Sequence, residues 1–296
     1  MLPNFIIAGA ARSGTTSLYY YLKQHPDISF PSIKEPKYFS CCGKKFPHNG
    51  IGDDKVDKKI VKTYKEYVAV YDNVEALKCI GDASSDYLYY HHCSADNILN
   101  VLGDIPIIIS LRDPVERAVS AYNNLVRDQR ENLSFVDALK AEEKRIECNW
   151  DWMWLYKRAG LYYEQVKTYK EKFSQVKVII FDDLISDPTG TLKEIYEFLN
   201  VDSSVLVDTK VKYSHSGYAS NPIISFLSNI NNRYMYFVRE TVFDIIPRRY
   251  MEAIASCVLK KIDISENQKS VLRDYYLNDI VQLESILGIS LSSWKK

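Results

Sequence analysis

Phe5-Ile6-Ile7-Ala8-Gly9-Ala10-Ala11-Arg12-Ser13-Gly14-Thr15-Thr16-Ser17-Leu18 is the stretch on which the fold turns. Phe5 to Ala8 is a short apolar run of the kind a buried strand carries. A Gly/Ser turn follows, and helical spacing begins at about Thr16 and reaches Gln24. Strand, tight loop and helix in that order build an anion cradle: glycines let the backbone turn, and unpaired N–H groups at the helix start face the anion. From Gly9 the stretch fits most of the phosphate-loop template (Gly, four residues, Gly, Lys, Ser or Thr), but Thr15 stands where the template has Lys. The nearest cation is Arg12, inside the loop. Such a loop suits one anionic group and lacks the lysine that reaches the outer phosphates of a nucleoside triphosphate.

The same order recurs further along. Pro106 to Leu111 is a second buried-strand candidate, followed by Arg112-Asp113-Pro114 and a helical pattern to about Arg130. Val176 to Phe181 is a third, followed by acids and a helix with Pro188 near its start. Strands alternating with helices predict an α/β fold, a mostly parallel sheet covered on both faces. Arg112 stands at the C-terminal end of its strand, the edge where such sheets collect ligands. Pro114 suits a first helical turn, and Ser120 lies about two turns in, where its hydroxyl can join the Arg112 fork on a phosphate monoester. Asp113 and Arg117 read as cap and surface-pairing residues. Residues 43–65 read as a polar surface insertion, and 221–230, 247–261 and 266–287 as helices. With no repeat and no Gly/Ser/Pro-rich linker, 1–296 reads as one domain with a helical C-terminal part from about Val201.

Lys plus Arg and Asp plus Glu both number 38, so no net field favours nucleic acid or an anionic membrane. No apolar run approaches a membrane span or signal peptide. Six cysteines without Cys-x-x-Cys or metal-ligand spacing read as free thiols in a reducing compartment, the cytoplasm.

Several segments, taken in order, resemble the sulfotransferase superfamily that uses 3′-phosphoadenosine 5′-phosphosulfate (PAPS), closest to bacterial members of the heparan-sulfate and Golgi type. Ala11 to Leu18 resembles its 5′-phosphosulfate loop. His25-Pro26-Asp27-Ile28 and Lys34-Glu35-Pro36-Lys37-Tyr38-Phe39 resemble its next segment, and Leu111 to Tyr122 its 3′-phosphate motif. Gly160 to Gln165, Phe181 to Pro188 and Asp279 to Trp294 are similar to its later helices and strand. The resemblance implies a P-loop-like sulfotransferase fold, PAPS as donor, the product nucleotide PAP (3′-phosphoadenosine 5′-phosphate), and no metal. It also implies cofactor contacts from Arg12, Ser13, Gly14, Thr15, Thr16 and Ser17, with Arg112 and Ser120 on the 3′-phosphate. Glu35 would be the catalytic carboxylate. Members often carry Lys in place of Arg12. A later cofactor loop, often Ser-Gly-x-Pro-Arg, would involve Ser216, Gly217 and Tyr218, yet here reads Ser216-Gly217-Tyr218-Ala219-Ser220.

Sulfuryl transfer needs a held donor, a cation for the leaving oxygen and a base for the acceptor. Arg12 is the expected cation and Glu35 the expected base, extended in backbone because a proline follows. His91 and His92, near Asp86 and Tyr87, are the reserve bases. Lys34, Tyr87, Trp150 and Trp152 are expected to line an acceptor site for a small metabolite, glycan or glycolipid. A P-loop kinase and an inactive PAP-binding module are the competing readings. Thr15 in the Lys position counts against the first, and Glu35 against the second.

Overall fold

Residues 1–210 and 262–296 are described by the computed structural model, together with the backbone of 218–219 and 259–260. Five strands, β1 (Phe5–Gly9), β2 (Ile28–Ser29), β3 (Cys79–Ala83), β4 (Ile107–Leu111) and β5 (Val176–Ile180), form one sheet in the order β2-β3-β1-β4-β5. Every pairing is parallel: Ile6 lies beside Asp82 on one edge and Ile107 on the other. Helices α1 (Thr15–Leu22), α2 (Asp53–Asp57), α3 (Tyr64–Val70), α4 (His91–Leu102), α5 (Pro114–Arg127), α6 (Phe135–Lys140), α7 (Glu142–Glu147), α8 (Tyr162–Lys172), α9 (Phe181–Ser186), α10 (Pro188–Phe198) and a last helix, Glu266–Leu287, accompany it.

Both faces of the sheet are covered. Ile6 and Ala8 pack with α4, α5, α8 and the last helix, while Phe5 and Ile7 pack with α1 and α10. A strand buried on both faces reads as a continuous apolar run, which is why β1, β4 and β5 are legible in the sequence. β3 is not, because Cys79-Ile80-Gly81-Asp82-Ala83 carries two residues that strands avoid. Gly81 is there for space: a Cβ would sit 2.3 Å from Phe30 and 2.6 Å from Phe5. Asp82 accepts from Ser84 at 2.8 Å and from Tyr67 and Tyr87 at 2.9 Å each.

The last helix matches its expected span. Ser265 and Gln268 form its capping box. Its Asp279 accepts from the Tyr162 N–H at 2.8 Å and the Tyr163 N–H at 3.2 Å, so its carboxylate serves the otherwise unpaired start of α8. The helices expected over 221–230 and 247–261 lie outside the described residues, except that Leu259–Lys260 is strand, antiparallel to Tyr218–Ala219.

Two expectations change. Residues 43–65 do not lie wholly on the surface. Asp53 is fully buried and accepts from Gly50 N at 2.8 Å, Asp151 N at 2.9 Å, Trp154 Nε1 at 3.0 Å and the Arg130 guanidinium. Its neighbours Lys44, His48, Asp57, Ile60 and Val61 are buried too. Polar composition misled because these side chains are satisfied internally. Nor are all the thiols free: Cys42 and Cys93 form a disulfide with Cα atoms 6.3 Å apart, joining the turn Cys41–Gly43 to α4. Cys41, Cys79 and Cys148 are free.

Removing one partner of a buried ion pair leaves the other charge stranded. Asp53→Ala should therefore lower unfolding free energy by ~3–5 kcal/mol. The exposed neighbour substitution Asp54→Ala should change it by less than ~0.5 kcal/mol. Urea unfolding monitored by tryptophan fluorescence checks the contrast.

Candidate active site

Four strand ends deliver the site. The segment after β1 is the anion loop. Its Ala10 N–H donates to the Ser110 carbonyl at 2.7 Å, and Ser110 Oγ donates to the Ser13 carbonyl at 2.5 Å, which pins the loop to β4. Gly14 caps α1 in the left-handed region, φ +81°, where a Cβ would meet Phe181 at 2.7 Å, so neither the dihedral nor the space admits a side chain. Thr15, Thr16 and Ser17 form the first turn of α1, whose N–H groups have no intrahelical partner. Ser13 Oγ is fully buried, with the equally buried Tyr162 hydroxyl beside it. Unpaired N–H groups at the start of a helix fit an anionic group seated in this loop.

Arg12, at φ +70°, turns its guanidinium to α5, with Nε 3.1 Å from Ser120 Oγ and Nη1 3.0 Å from Asn124 Oδ1. Ser120 and Arg112 are expected to share one phosphate monoester, and each has a protein partner of its own. Arg112 Nη1 lies 3.5 Å from the Arg12 carbonyl and Nη2 3.7 Å from Glu116, and its guanidinium stacks 4.9 Å over Phe181. Burial, followed by repulsion from Arg127 and Arg112, brings the Arg12 guanidinium down to about 10. Asp113 caps α5 as expected, accepting from Val115 N at 2.8 Å and Glu116 N at 3.3 Å. Arg117 is not a surface residue; it is buried and donates to the Tyr156 carbonyl.

Glu35 lies beside the loop. Its Oε1 accepts from Lys34 Nζ and from Ser85 Oγ, both at 3.0 Å, and its Oε2 lies 3.3 Å from Lys37 Nζ. Lys34 Nζ also donates to Thr16 Oγ1 at 3.3 Å, so one ammonium joins the carboxylate to the first turn of α1. Burial pushes the Glu35 carboxyl upward, but Lys37 and Lys34 outweigh it and hold the group down at about 2. Despite its own burial, Lys37 is pushed well above the usual lysine range by Glu35 and Asp86. The Glu35 backbone is not extended as expected but left-handed, φ +60°, and Lys37 is at +59°. Ser84 Oγ accepts from the Lys37 N–H at 3.1 Å, which hangs this segment on the end of β3. Arg12, Glu35 and Lys37 thus share one strained backbone region, and such strain gathers at functional sites.

Other expected residues fall elsewhere. Tyr87 is fully buried and donates to Asp82, so it does not face an acceptor. His91 lies against His92 with ring centroids 3.7 Å apart, and its Nδ1 faces the Tyr89 carbonyl at 3.3 Å; burial and His92 bring it down to about 4. Neither histidine touches the Glu35 cluster. Trp152 is buried and stacks on Tyr89 at 5.4 Å. Trp150 packs edge-on to Trp154 and lines a cavity of about 330 Å³ with Arg130, Glu131 and Arg145. Ser216, Gly217 and the Tyr218 side chain lie outside the described residues.

Reading from the sequence missed Lys37, Ser85, Asn124 and Arg127. The first flanks the carboxylate by two positions, and Ser85 follows the unread strand β3. Asn124 and Arg127 stand four and seven residues beyond Ser120 on one helix face, a spacing that could have found them. Among the described residues, no helix is long and apolar enough to cross a membrane, and no group of three or more His, Cys, Asp and Glu could hold a metal ion.

The chain has clear relatives. Residues 3–204 match the profile described as Sulfotransferase family. The crystal structure of a sulfotransferase from Alicyclobacillus acidocaldarius superposes with a TM-score of 0.81 at 31% identity, covering 100% of both chains. The membrane-associated sulfotransferase kil1 of Dictyostelium discoideum is 35% identical over 133 residues, 45% of this chain and 25% of that protein. Heparan sulfate glucosamine 3-O-sulfotransferase 3B1 of Mus musculus is 24% identical over 205 residues, 68% of this chain and 46% of that protein. The chain therefore spans less than half the length of these two curated relatives. Anion loop, sheet order and relatives agree, and the chain belongs to the sulfotransferase family.

Proposed function

We propose that this protein transfers a sulfuryl group from PAPS to a hydroxyl or amine of a small metabolite, glycan or glycolipid, with Glu35 as general base. The observation that carries the reading is the Thr16–Lys34–Glu35 chain, which puts a carboxylate one ammonium away from the anion loop. A glycan acceptor is supported by the mouse relative, whose name specifies heparan sulfate glucosamine.

The N–H groups of residues 13–17 and the Ser13 hydroxyl would hold the 5′-phosphosulfate, with Arg12 as the cation of the donor site. When bound, the donor supplies a sulfuryl group whose bond to a phosphate oxygen breaks as its bond to the acceptor forms. Glu35 takes the acceptor's proton. A carboxylate held at about 2 is a weak base, and proton transfer is most effective when the base's pKa is near working pH. Lys34 answers this. An anion in the loop competes with Glu35 for the Lys34 ammonium, and weakening that contact raises the proton affinity of Glu35. The base then gains strength when donor is in place. Lys37 keeps the carboxylate ionised and aimed.

Three outcomes test the reading. PAP at a hundredfold excess over its Kd should stabilise the fold by about 2.7 kcal/mol, and ATP with Mg²⁺ by much less; equal thermal shifts would remove the donor assignment. Glu35→Gln should lower turnover ~10²-fold or more, the usual size of a lost general base, with PAP affinity within a few-fold. Normal turnover in that variant would move the base elsewhere.

The third is a pH dependence. A carboxylate depressed to about 2 contributes stability that is present above its unfolded value of about 4.3 and lost as pH falls from there through about 2. Lys37→Met removes a cation, so the Glu35 pKa should rise and the acid-side loss should begin at higher pH. Carboxyl NMR titration of Glu35 above pH 3 should show a midpoint in the variant and none in the wild type.

A further inference from the structure

Asp82 is an acid where the fold would be better served by a neutral residue. It stands in β3 beside Ile6 of β1, with its side chain fully buried. Burial outweighs the hydroxyls that bond to it and holds the carboxyl up at about 6. A carboxyl raised from an unfolded value of about 3.9 works against folding: its favourable contribution is lost as pH rises from there through about 6. Net stability therefore does not account for an acid at this position. Hydrogen-bond direction does.

A carboxylate only accepts hydrogen bonds. Asp82 Oδ2 takes the protons of Tyr67 and Tyr87 at 2.9 Å each, and Oδ1 takes that of Ser84 at 2.8 Å. A serine hydroxyl has one proton to give. With that proton drawn to Asp82, the Ser84 lone pairs are left for the Lys37 N–H at 3.1 Å. That N–H belongs to the segment in which Glu35 and Lys37 both stand in the left-handed region. We propose that Asp82 is a positioning residue for Glu35: by accepting from Ser84, it makes that hydroxyl the acceptor that holds the Lys37 N–H and the backbone carrying Glu35. The inference rests on the reading of Glu35 as general base. An amide at position 82 accepts on one side only, so it cannot take all three protons. A protonated Asp82 meets the same conflict, because it must donate where three donors already point. Acid should therefore release the segment. Around Asp82, Tyr67 and Tyr71 of α3, Tyr87, and Tyr169 of α8 are all pushed above the usual tyrosine range by burial, so none ionises where Asp82 does. The remaining charges nearby are Asp86 and Lys44, paired with each other.

The experiment compares wild type, Asp82→Asn, Ser84→Ala and the double variant between about pH 5 and 8. Protection of the Lys37 N–H against hydrogen exchange, read by NMR relative to an unstructured peptide at each pH, reports the bond itself. Release of sulfate from radiolabelled PAPS, with water as acceptor, reports turnover, and calorimetry gives PAP affinity. At the upper end of the range, Lys37 protection should be about tenfold lower in Asp82→Asn than in wild type, the scale of one hydrogen bond. Turnover should fall about tenfold or more, since a misplaced catalytic group is costly, with PAP affinity unchanged. The double variant should lose no more than Ser84→Ala, because both substitutions break one chain of bonds. In wild type, protection and turnover should both drop as pH falls through about 6, far above the value of about 2 at which Glu35 itself is held. In Asp82→Asn that drop should be absent. Asp279 is also held at about 6, and a drop that persists in Asp82→Asn belongs to such a group and overturns the inference. Full Lys37 protection in Asp82→Asn overturns it as well. Loss of PAP affinity and melting temperature together with turnover would make Asp82 structural, with the same consequence. If Glu35→Gln releases sulfate at full rate while Asp82→Asn still frees the Lys37 N–H, the base reading fails and the hold of Asp82 on the segment stands.

Discussion

Everything at the site depends on β1 being paired on both edges. Phe5–Gly9 lies between β3 and β4, each parallel to it, so the chain leaves all three strands at the same end of the sheet. The order β2-β3-β1-β4-β5 changes direction at β1, and a crevice opens where connections depart to opposite sides. The anion loop leaves from β1, Ser84 and Ser85 from β3, Arg112 from β4 and Phe181 from β5. Ser110, still within β4, ties the loop down through its hydroxyl and carbonyl. Parallel pairing thus brings together residues that are up to about 170 positions apart in sequence.

This architecture was largely legible where the physics is local. Continuous apolar runs marked β1, β4 and β5, and Pro114 and Pro188 stand at the first positions of α5 and α10 as their fixed φ favours. The loop around Gly14 was legible because its conformation excludes other residues. What was not legible is long-range satisfaction of polar groups. Asp82 belongs in a buried strand because three hydroxyls, from Tyr67, Ser84 and Tyr87, bond to it, and none of those partners is apparent from the pattern of Cys79–Ala83. Asp53 looks like one acid among many in a polar stretch, yet its partners come from Gly50, Arg130, Asp151 and Trp154. Tyr87 and Trp152 invited a role at the acceptor for the same reason: aromatic composition does not say which way a ring faces.

The buried charges behind Glu35 have a role that stability alone does not explain. Lys44 and Asp86 are paired with both side chains fully buried, and Ser40 donates to the same Asp86 oxygen. Replacing such a pair by packed apolar residues is often neutral or favourable, so net stability is a poor reason to keep one. Breaking it, however, strands a charge, and that steep penalty fixes geometry. The same Ser40 hydroxyl lies 2.9 Å from the Lys37 carbonyl, so its one proton is shared between that carbonyl and Asp86 and the pair bears directly on the segment that carries Lys37 and Glu35. Two residues in that segment sit in the left-handed region, each a strain of about 1–3 kcal/mol, which persists only when the surroundings over-determine it.

The distance between the anion loop and Glu35 is then set by the sheet rather than by a flexible connection. The loop is an extension of β1, and Glu35 is held by Ser85 at the end of β3, the adjacent strand. Neighbouring strands stand about 4.8 Å apart, and close packing on both faces prevents them from drifting. A carboxylate on a mobile loop would lose rate through misplacement, since an error of about 1 Å can cost two orders of magnitude. Lys34, bonded at once to Thr16 and Glu35, spans the remaining gap. Rigid spacing places the carboxylate, and in the reading proposed above the Lys34 ammonium tunes it.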